Sequence, residues 1–398
     1  MSVSESPYGN ALERVRQRVA FLACGIPSPA EIEDLAAVVV GQSVAERRWW
    51  LKRGGREVVE RPRAGVPLVH ALAWRAFACR LEGPETGLHL ARAAVQVAEA
   101  LRDEQPLAAP LAAGRAHAWM VLANAQRIVG ELEAAEASWA RVDRVMPDPR
   151  RDPLLAGDVA RLKGWLRKDQ RRFDEAEALF REAMLRYEVL LGDRARGVSA
   201  RIGLAACLFA AGRLEEAFWE SWRAGERLDA AQTPHHALEI LHNQVLILAE
   251  LGRRRQALFV LRKARVLYHH LAGPVFRLRA LWLKGRLHSG LQEWEDAAYC
   301  LQTVRSGFVA RDMAYDAALA ALDLALAYAH LRKDRQVREL AEQMYPVFVS
   351  QRIPREASAT LLLFADAAQD WRATAELIAR CIAELDALQR PGRVATAS

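Results

Sequence analysis

One spacing constrains the fold of this chain more than any other feature. A small residue in the same sequence context recurs at Ala135, Ala176, Ala217, Ala257 and Ala297, with Val337 continuing the series. The intervals are 41, 41, 40, 40 and 40 residues. Around each of these positions lie two stretches of helical apolar spacing joined by a short turn. The turn places Gly130, Arg171, Gly212, Gly252 and Gln292 at one equivalent position. The residue that faces the crossing from the first stretch is small as well: Ala123, Gly164, Ala205, Gly285 and Ala325. Small residues at matched positions let two helices cross closely. The chain therefore reads as a series of helix–turn–helix units, each stacked on its neighbours. With 398 residues, a single globule would exceed the size at which one core stops growing, roughly 250–300 residues. A stacked array has no such limit.

One unit carries enough landmarks to compare with a known pattern. Residues 115–149 contain Trp119, Leu122, Ala123, Gly130, Ala135, Trp139 and Pro147. This resembles a tetratricopeptide repeat, with Ala123 for the usual Gly, Trp139 for the usual Phe, and Gln126 at the usual Tyr position. The period exceeds the usual ~34 residues, as expected for longer helices or longer connections. Similar periods occur in tetratricopeptide proteins that act as bacterial peptide sensors and transcription regulators, and in adaptor light chains. The resemblance implies an all-α, right-handed superhelical solenoid of about eight antiparallel helix pairs. It also implies that the first helix of each pair lines an inner groove. The expected layout is an N-terminal helical segment or cap at 1–64, the array at 65–354, a C-terminal capping pair at 355–390 and a polar tail at 391–398.

Charge directs attention to one block. The chain is net +7 with a pI near 9.4. Between Glu250 and Glu293 there is no acidic residue, while ten Arg and Lys side chains occur, so the rest of the chain is net negative. A solvated helix normally mixes both signs. Within this block Arg279, Trp282 and Arg286 share one helical face, as spacings of three and four require. Arg161, Trp165 and Lys168 form a comparable set three repeats earlier, and His242 and Asn243 fall at matching phase one repeat before Phe276. Arg offers a planar fork for carboxylate or phosphate, and Trp a flat apolar surface beside it. These eight residues are the candidate partner-binding set. The same pattern also fits tryptophans packed between helices with arginines in solvent. A second basic stretch, Arg47–Arg63 around Trp49 and Trp50, fits either a terminal cap or a docking element.

Catalytic signatures are absent: no GxGxxG, GK[ST], HExxH or GxSxG. His235, His236 and His242 lack a carboxylate or thiol partner in sequence, and Asp174–Glu175 and Glu215–Glu216 sit where a second helix begins and its dipole favours acids. No catalytic residue, cofactor or metal is expected. Cys24, Cys79, Cys207, Cys300 and Cys381 lie far apart without CxxC spacing, as reduced, buried thiols of a cytoplasmic protein would. No run is apolar enough to span a membrane. The expected function is a scaffold or adaptor that captures an acidic protein or peptide segment in a basic groove. The alternatives are a ligand-responsive regulator that changes superhelix shape, or an anion- or nucleic-acid-binding module.

Overall fold

The computed structural model describes residues 62–79, 83–101, 108–228, 230, 233–348, 355–370 and 372–389. The N-terminal segment, including Trp49 and Trp50, lies outside them apart from its last residues. Sixteen α-helices occur among the described residues, and no strand. In chain order they are α1 (Pro62–Cys79), α2 (Pro84–Ala100), α3 (Ala108–Ile128), α4 (Leu132–Val145), α5 (Pro153–Asp169), α6 (Phe173–Met184), α7 (Arg194–Ala210) and α8 (Leu214–Glu226). There follow α9 (Pro234–Glu250), α10 (Arg254–Leu271), α11 (Pro274–Gly290), α12 (Trp294–Val309), α13 (Ala314–His330), α14 (Asp334–Phe348), α15 (Arg355–Gln369) and α16 (Ala375–Gln389). Helix α6 continues into a π-helical turn, Leu185–Leu190.

The chain divides into two compact units, 1–213 and 214–398. Within the first, α1 to α7 pack successively, and α5 also touches α3 and α7. Within the second, α8 to α16 pack successively, and α16 turns back onto α13. Second helices begin at Leu132, Phe173, Leu214, Arg254, Trp294 and Asp334, which reproduces the 40–41-residue period.

The crossing positions behave as their size requires. Ala135, Ala176, Ala217, Ala257 and Ala297 are each 0% exposed, and Val337 is 3%. Ala123, Ala205 and Ala325 are likewise fully buried. At Gly285 the approach is too close for any larger residue, since a Cβ there would sit 2.8 Å from Leu301 Cγ. The aromatic layer expected at Trp139 is present: its side chain is 1% exposed, and Phe180 one repeat later is 0%. Gln126, in the usual Tyr position, is buried but satisfied, because Ser138 Oγ donates to its Oε1 at 2.7 Å.

The turns share one device. Gly130, Arg171, Gly212, Gly252, Gln292 and Arg332 all adopt positive φ, between 56° and 86°. In each case the next residue's N–H reaches back to a carbonyl five positions earlier, as in Arg253 N to Leu248 O at 2.8 Å and Arg172 N to Arg167 O at 2.8 Å. This is the Schellman arrangement, in which a left-handed residue closes the helix. It turns the chain at a fixed angle and so sets the pairing of each helix with the next. A side chain in this conformation costs roughly 1–2 kcal/mol. Gly252 has open space around it, so Gly252→Ala should lower stability by about 1 kcal/mol through backbone strain alone. Arg171→Gly should be neutral or slightly stabilising, because relief of that strain is offset by a more flexible unfolded chain. Chemical denaturation of the two variants beside the wild type measures both.

Candidate functional site

In the second unit, Arg279, Trp282 and Arg286 do share a face of α11, and that face meets acids. Trp282 is half-buried. Its Nε1 donates to Asp323 Oδ2 at 2.6 Å, and its ring stands edge-on to Phe308 at 5.7 Å. Arg286 Nε lies 3.8 Å from the same Asp323 oxygen. The Arg286 guanidinium also binds both carboxylate oxygens of Asp386, one hundred residues away on α16. Arg279 is exposed and its nearest acid is Asp316, at 3.6 Å. The acid-free block in the sequence is therefore matched in space by three carboxylates that α13 and α16 deliver.

This cluster is partly dehydrated. Asp323 is 7% exposed, and burial pushes its carboxyl above the usual carboxylate range, against the opposing pull of Arg286 and of the Trp282 N–H. Asp323 holds the Arg286 guanidinium even more firmly protonated than usual, with Asp386 adding to the effect. A buried charge deprived of its partner costs several kcal/mol. Arg286 is thus a structural residue as well as a candidate contact, and its reversal would disturb the fold. Exposed Arg279 offers the cleaner test of binding.

One repeat earlier, His242 Nδ1 lies 2.6 Å from the Tyr268 hydroxyl, and its ring is 4.9 Å from Phe276. Burial lowers the His242 pKa, so the ring is neutral near pH 7, and burial raises that of Tyr268. Asn243 is half-buried beside it.

The first unit repeats the theme on α5. Arg161 Nη2 lies 3.5 Å from Asp158, and its Nε donates to the Tyr187 hydroxyl at 3.4 Å. Tyr187, fully buried on the π turn, donates in turn to Asp158 at 2.6 Å. Burial and the Asp158 charge raise the pKa of this phenol. Trp165 stands edge-on to Phe180 at 5.5 Å, with the Lys168 ammonium 5.2 Å and the Arg127 guanidinium 5.9 Å from its ring. Asp169 pairs with both cations, at 2.8 and 2.6 Å. A second Arg-centred cluster joins α4 and α5, where Arg167 binds Glu136 in a fork. That contact lowers the Glu136 pKa to about 2.

Sequence reasoning found Arg279, Trp282, Arg286, Arg161, Trp165, Lys168 and His242 of these clusters, and missed Arg127, Arg167, Tyr187, Phe308 and the acids. Asp323 carries a visible signal: it is a lone carboxylate in the apolar run from Ala317 to Ala329. Asp386 and Asp158 have none, because Asp386 is one of three acids on α16 and Asp158 one of two on α5, each on a helix that also carries cations. Among the described residues one trio has metal-ligand proximity. His288, Glu293 and Asp296 offer ligand atoms within 4.8 Å of one another at the α11–α12 turn. His288 and Glu293 already bond each other at 2.6 Å. Cys207, Cys300 and Cys381 are buried and free, and Cys79 is partly buried. No helix among the described residues is long and apolar enough to cross a membrane.

No protein-family model matches the chain, and no curated protein matches its sequence. Solved structures do share its fold. The apo form of RapI superposes with a TM-score of 0.59 at 10% identity, covering 80% of this chain and 87% of that one. A Rap protein complexed with Competence and Sporulation Factor gives 0.54 at 12% identity, covering 82% and 88%. Aspartyl phosphate phosphatase F from Bacillus subtilis gives 0.50 at 10% identity, covering 94% and 99%. The fold is that of a tetratricopeptide-like helical repeat protein. At such identities the likeness is one of backbone, and the repeat's own side chains must carry any functional reading.

One further repeat-face contact is titratable. His70 on α1 and His117 on α3 stack with centroids 5.0 Å apart and Nδ1 atoms 2.9 Å apart, so one ring donates to the other. Burial and the charge of the second ring lower the His70 pKa to about 3, and burial lowers that of His117. Both are depressed below the unfolded value near 6.5. The unfolded chain then binds more protons than the native one once the pH falls below about 6.5, and stability is lost progressively down to the native pKa. The limiting slope is about 1.4 kcal/mol per pH unit for each histidine. Denaturation midpoints at pH 7.5 and pH 5 should fall further for the wild type than for His70→Asn. Equal falls would exclude the pair as the cause.

Packing of Trp282 generates a second expectation. A fully buried aromatic cut to Ala costs ~3–5 kcal/mol, and Trp282 is only half-buried. Trp282→Ala should therefore cost about 2–4 kcal/mol in thermal or urea unfolding, part of it from the lost bond to Asp323.

Proposed function

We propose that this protein is a non-catalytic scaffold that captures an acidic protein or peptide segment on the first-helix face of its repeats. Arg279, Trp282 and Arg286 form the main contact, with His242 and Asn243 beside them and Arg161, Trp165 and Lys168 as a second anchor. The observation that carries the reading is the Arg286–Asp386 pair. A carboxylate presented on a helix, α16, already sits on the α11 guanidinium, which supports a face suited to carboxylates. An incoming acidic segment would make the same kind of bond while its apolar residues lie on Trp282. The fold neighbour complexed with Competence and Sporulation Factor offers a precedent for a bound partner on such a fold, although at 12% identity it says nothing of the partner here.

A second reading rests on the same contact. If the segment competes with Asp386, binding releases α16 from α11, and the protein becomes a regulator that changes shape with its ligand. A nucleic acid would meet the same arginines through its phosphates, and its binding would fall steeply with salt because it releases counterions.

Panning a random peptide display library on the full chain tests the proposal. Enriched peptides should combine Asp or Glu with apolar residues. Their binding should weaken about tenfold or more in Arg279→Glu, which is ~1.4 kcal/mol or more, with helicity and melting unchanged. Asp386→Asn should tighten binding by removing the internal competitor. Enrichment of neutral or basic peptides, or indifference to Arg279→Glu, would overturn the reading. X-ray scattering with and without the selected peptide separates scaffold from regulator, since only the regulator changes dimensions.

A further inference from the structure

The second helices of the second unit present a different face. Trp219 on α8, Phe259 on α10 and Tyr299 on α12 occupy one repeat position, 40 residues apart, and are 52%, 57% and 77% exposed. Trp222, also exposed, stands edge-on to Trp219 at 5.8 Å, and Val266 continues the row along α10. At this position a soluble repeat would normally carry polar side chains. Exposed aromatics on the second helices of successive repeats instead mark a contact surface.

Charge on the same face alternates from helix to helix. Helix α10 holds Arg254, Arg255, Arg262, Lys263 and Arg265 and no acid. Among the described residues Arg255, Arg262 and Arg265 form no ion pair, and Lys263 contacts only the ring of Phe259, at 4.7 Å. Helix α8 exposes Glu215, Glu216 and Glu226 against one Arg, while its Glu220 is buried and paired with that Arg223 at 2.8 Å. The two helices belong to successive repeats and are tied at their starts by Arg253 and Glu215 at 2.8 Å. Glu216, Trp219, Trp222, Arg223 and Glu226 are exposed together on α8, and Arg255, Phe259, Arg262, Lys263 and Val266 on α10.

We propose that this face binds a second copy of the chain, with α8 of each protomer lying on α10 of the other about a two-fold axis. A two-fold interface must be self-complementary, and this one is: the acidic helix with two tryptophans meets the basic helix with Phe259 and Val266. The alternation decides where the axis lies. Centred on α10, it would set five cations against five. Centred between α8 and α10, it sets acids against bases twice and buries all four apolar side chains of each copy in the middle. Two tryptophans and a phenylalanine per copy, doubled, supply the apolar centre of an interface in the ~1,200–2,000 Å² class, with the charges as rim.

Analytical ultracentrifugation of the full chain from about 1 to 100 µM tests this. The wild type should show a concentration-dependent dimer that weakens with salt. The Arg262→Glu, Lys263→Glu pair turns the set that α10 exposes beside Phe259 acidic, two Glu against Arg255, to match α8. The Glu216→Lys, Glu226→Lys pair makes both helices basic. Each double variant alone should be monomeric with unchanged helicity. Mixed one to one, they should recover a heterodimer, because each basic face then meets an acidic one. Trp219→Ala with Phe259→Ala should abolish association while the chain stays folded. A wild type that remains monomeric at 100 µM, a dimer that tolerates both charge variants, or a mixture that fails to associate would each overturn the proposal. Retention of the monomer on vesicles of anionic lipid would instead assign the face to a membrane surface.

Discussion

Close helix crossing is the constraint on which the rest of the structure depends. Two helices cross most tightly where both offer a small residue, and this chain supplies one on each side in most of its repeats, with Val245 and Val337 as the larger exceptions. At Ala135, Ala176, Ala217, Ala257 and Ala297 the side chain is completely buried. A methyl group there fills the crossing, and anything larger must push the helices apart at a cost of ~1–3 kcal/mol. The crossing fixes where helices touch, and the left-handed turn residue fixes how the chain returns. Neither suffices alone. Arg171, Gln292 and Arg332 hold strained backbone because the stacking on both sides leaves no other conformation for the turn.

This local repetition made the fold legible in the sequence. The period, the small crossing residues, the aromatic layer at Trp139 and the turn positions are all properties of segments under fifty residues long. Packing repeats them because each pair meets only its neighbours. The π turn after α6 was not legible, since it serves one contact, the burial of Tyr187 against Asp158. The division into units at 213 and 214 was not legible either, because the spacing runs through it unbroken.

The candidate site was legible by half, and the missing half is non-local. Arg279, Trp282 and Arg286 announce themselves by spacing on one helix and by the absence of acids near them in sequence. Sequence distance is a poor guide to electrostatic neighbours in an array whose last helix folds back. Asp323 arrives from the next repeat and Asp386 from the far end of the chain. A block that reads as an unbalanced positive charge is balanced at Arg286, while Arg255, Arg262 and Arg265 in the same block form no ion pair among the described residues. The block therefore splits into two surfaces of different character: a first-helix face whose charges are paired, and a second-helix face whose charges are not.

That split bears on why the paired face retains its charges. Burying Asp323 and Arg286 costs desolvation energy that their mutual attraction only partly returns, and an apolar pair of similar size would often be as stable. A buried ion pair does better at specifying one arrangement over others. The apolar contacts of α16, through buried Ile378, Cys381 and Leu385, are non-directional and select a register less sharply than an ion pair does. The Asp386 carboxylate selects the register in which it meets Arg286, and Trp282 orients Asp323 to hold that guanidinium in place. On the regulator reading proposed above, the bond that fixes α16 is the one an acidic ligand would break. The face is closed by a contact that is specific in geometry yet partly solvated at Arg286 and Asp386, at 38% and 33% side-chain exposure. A competing carboxylate can approach such a pair from solvent, whereas it could not reach Asp323. On the proposed regulator reading, exchange of one carboxylate for another at Arg286 would leave the buried charge count unchanged, and α16 would be displaced without an unpaired ion at the arginine.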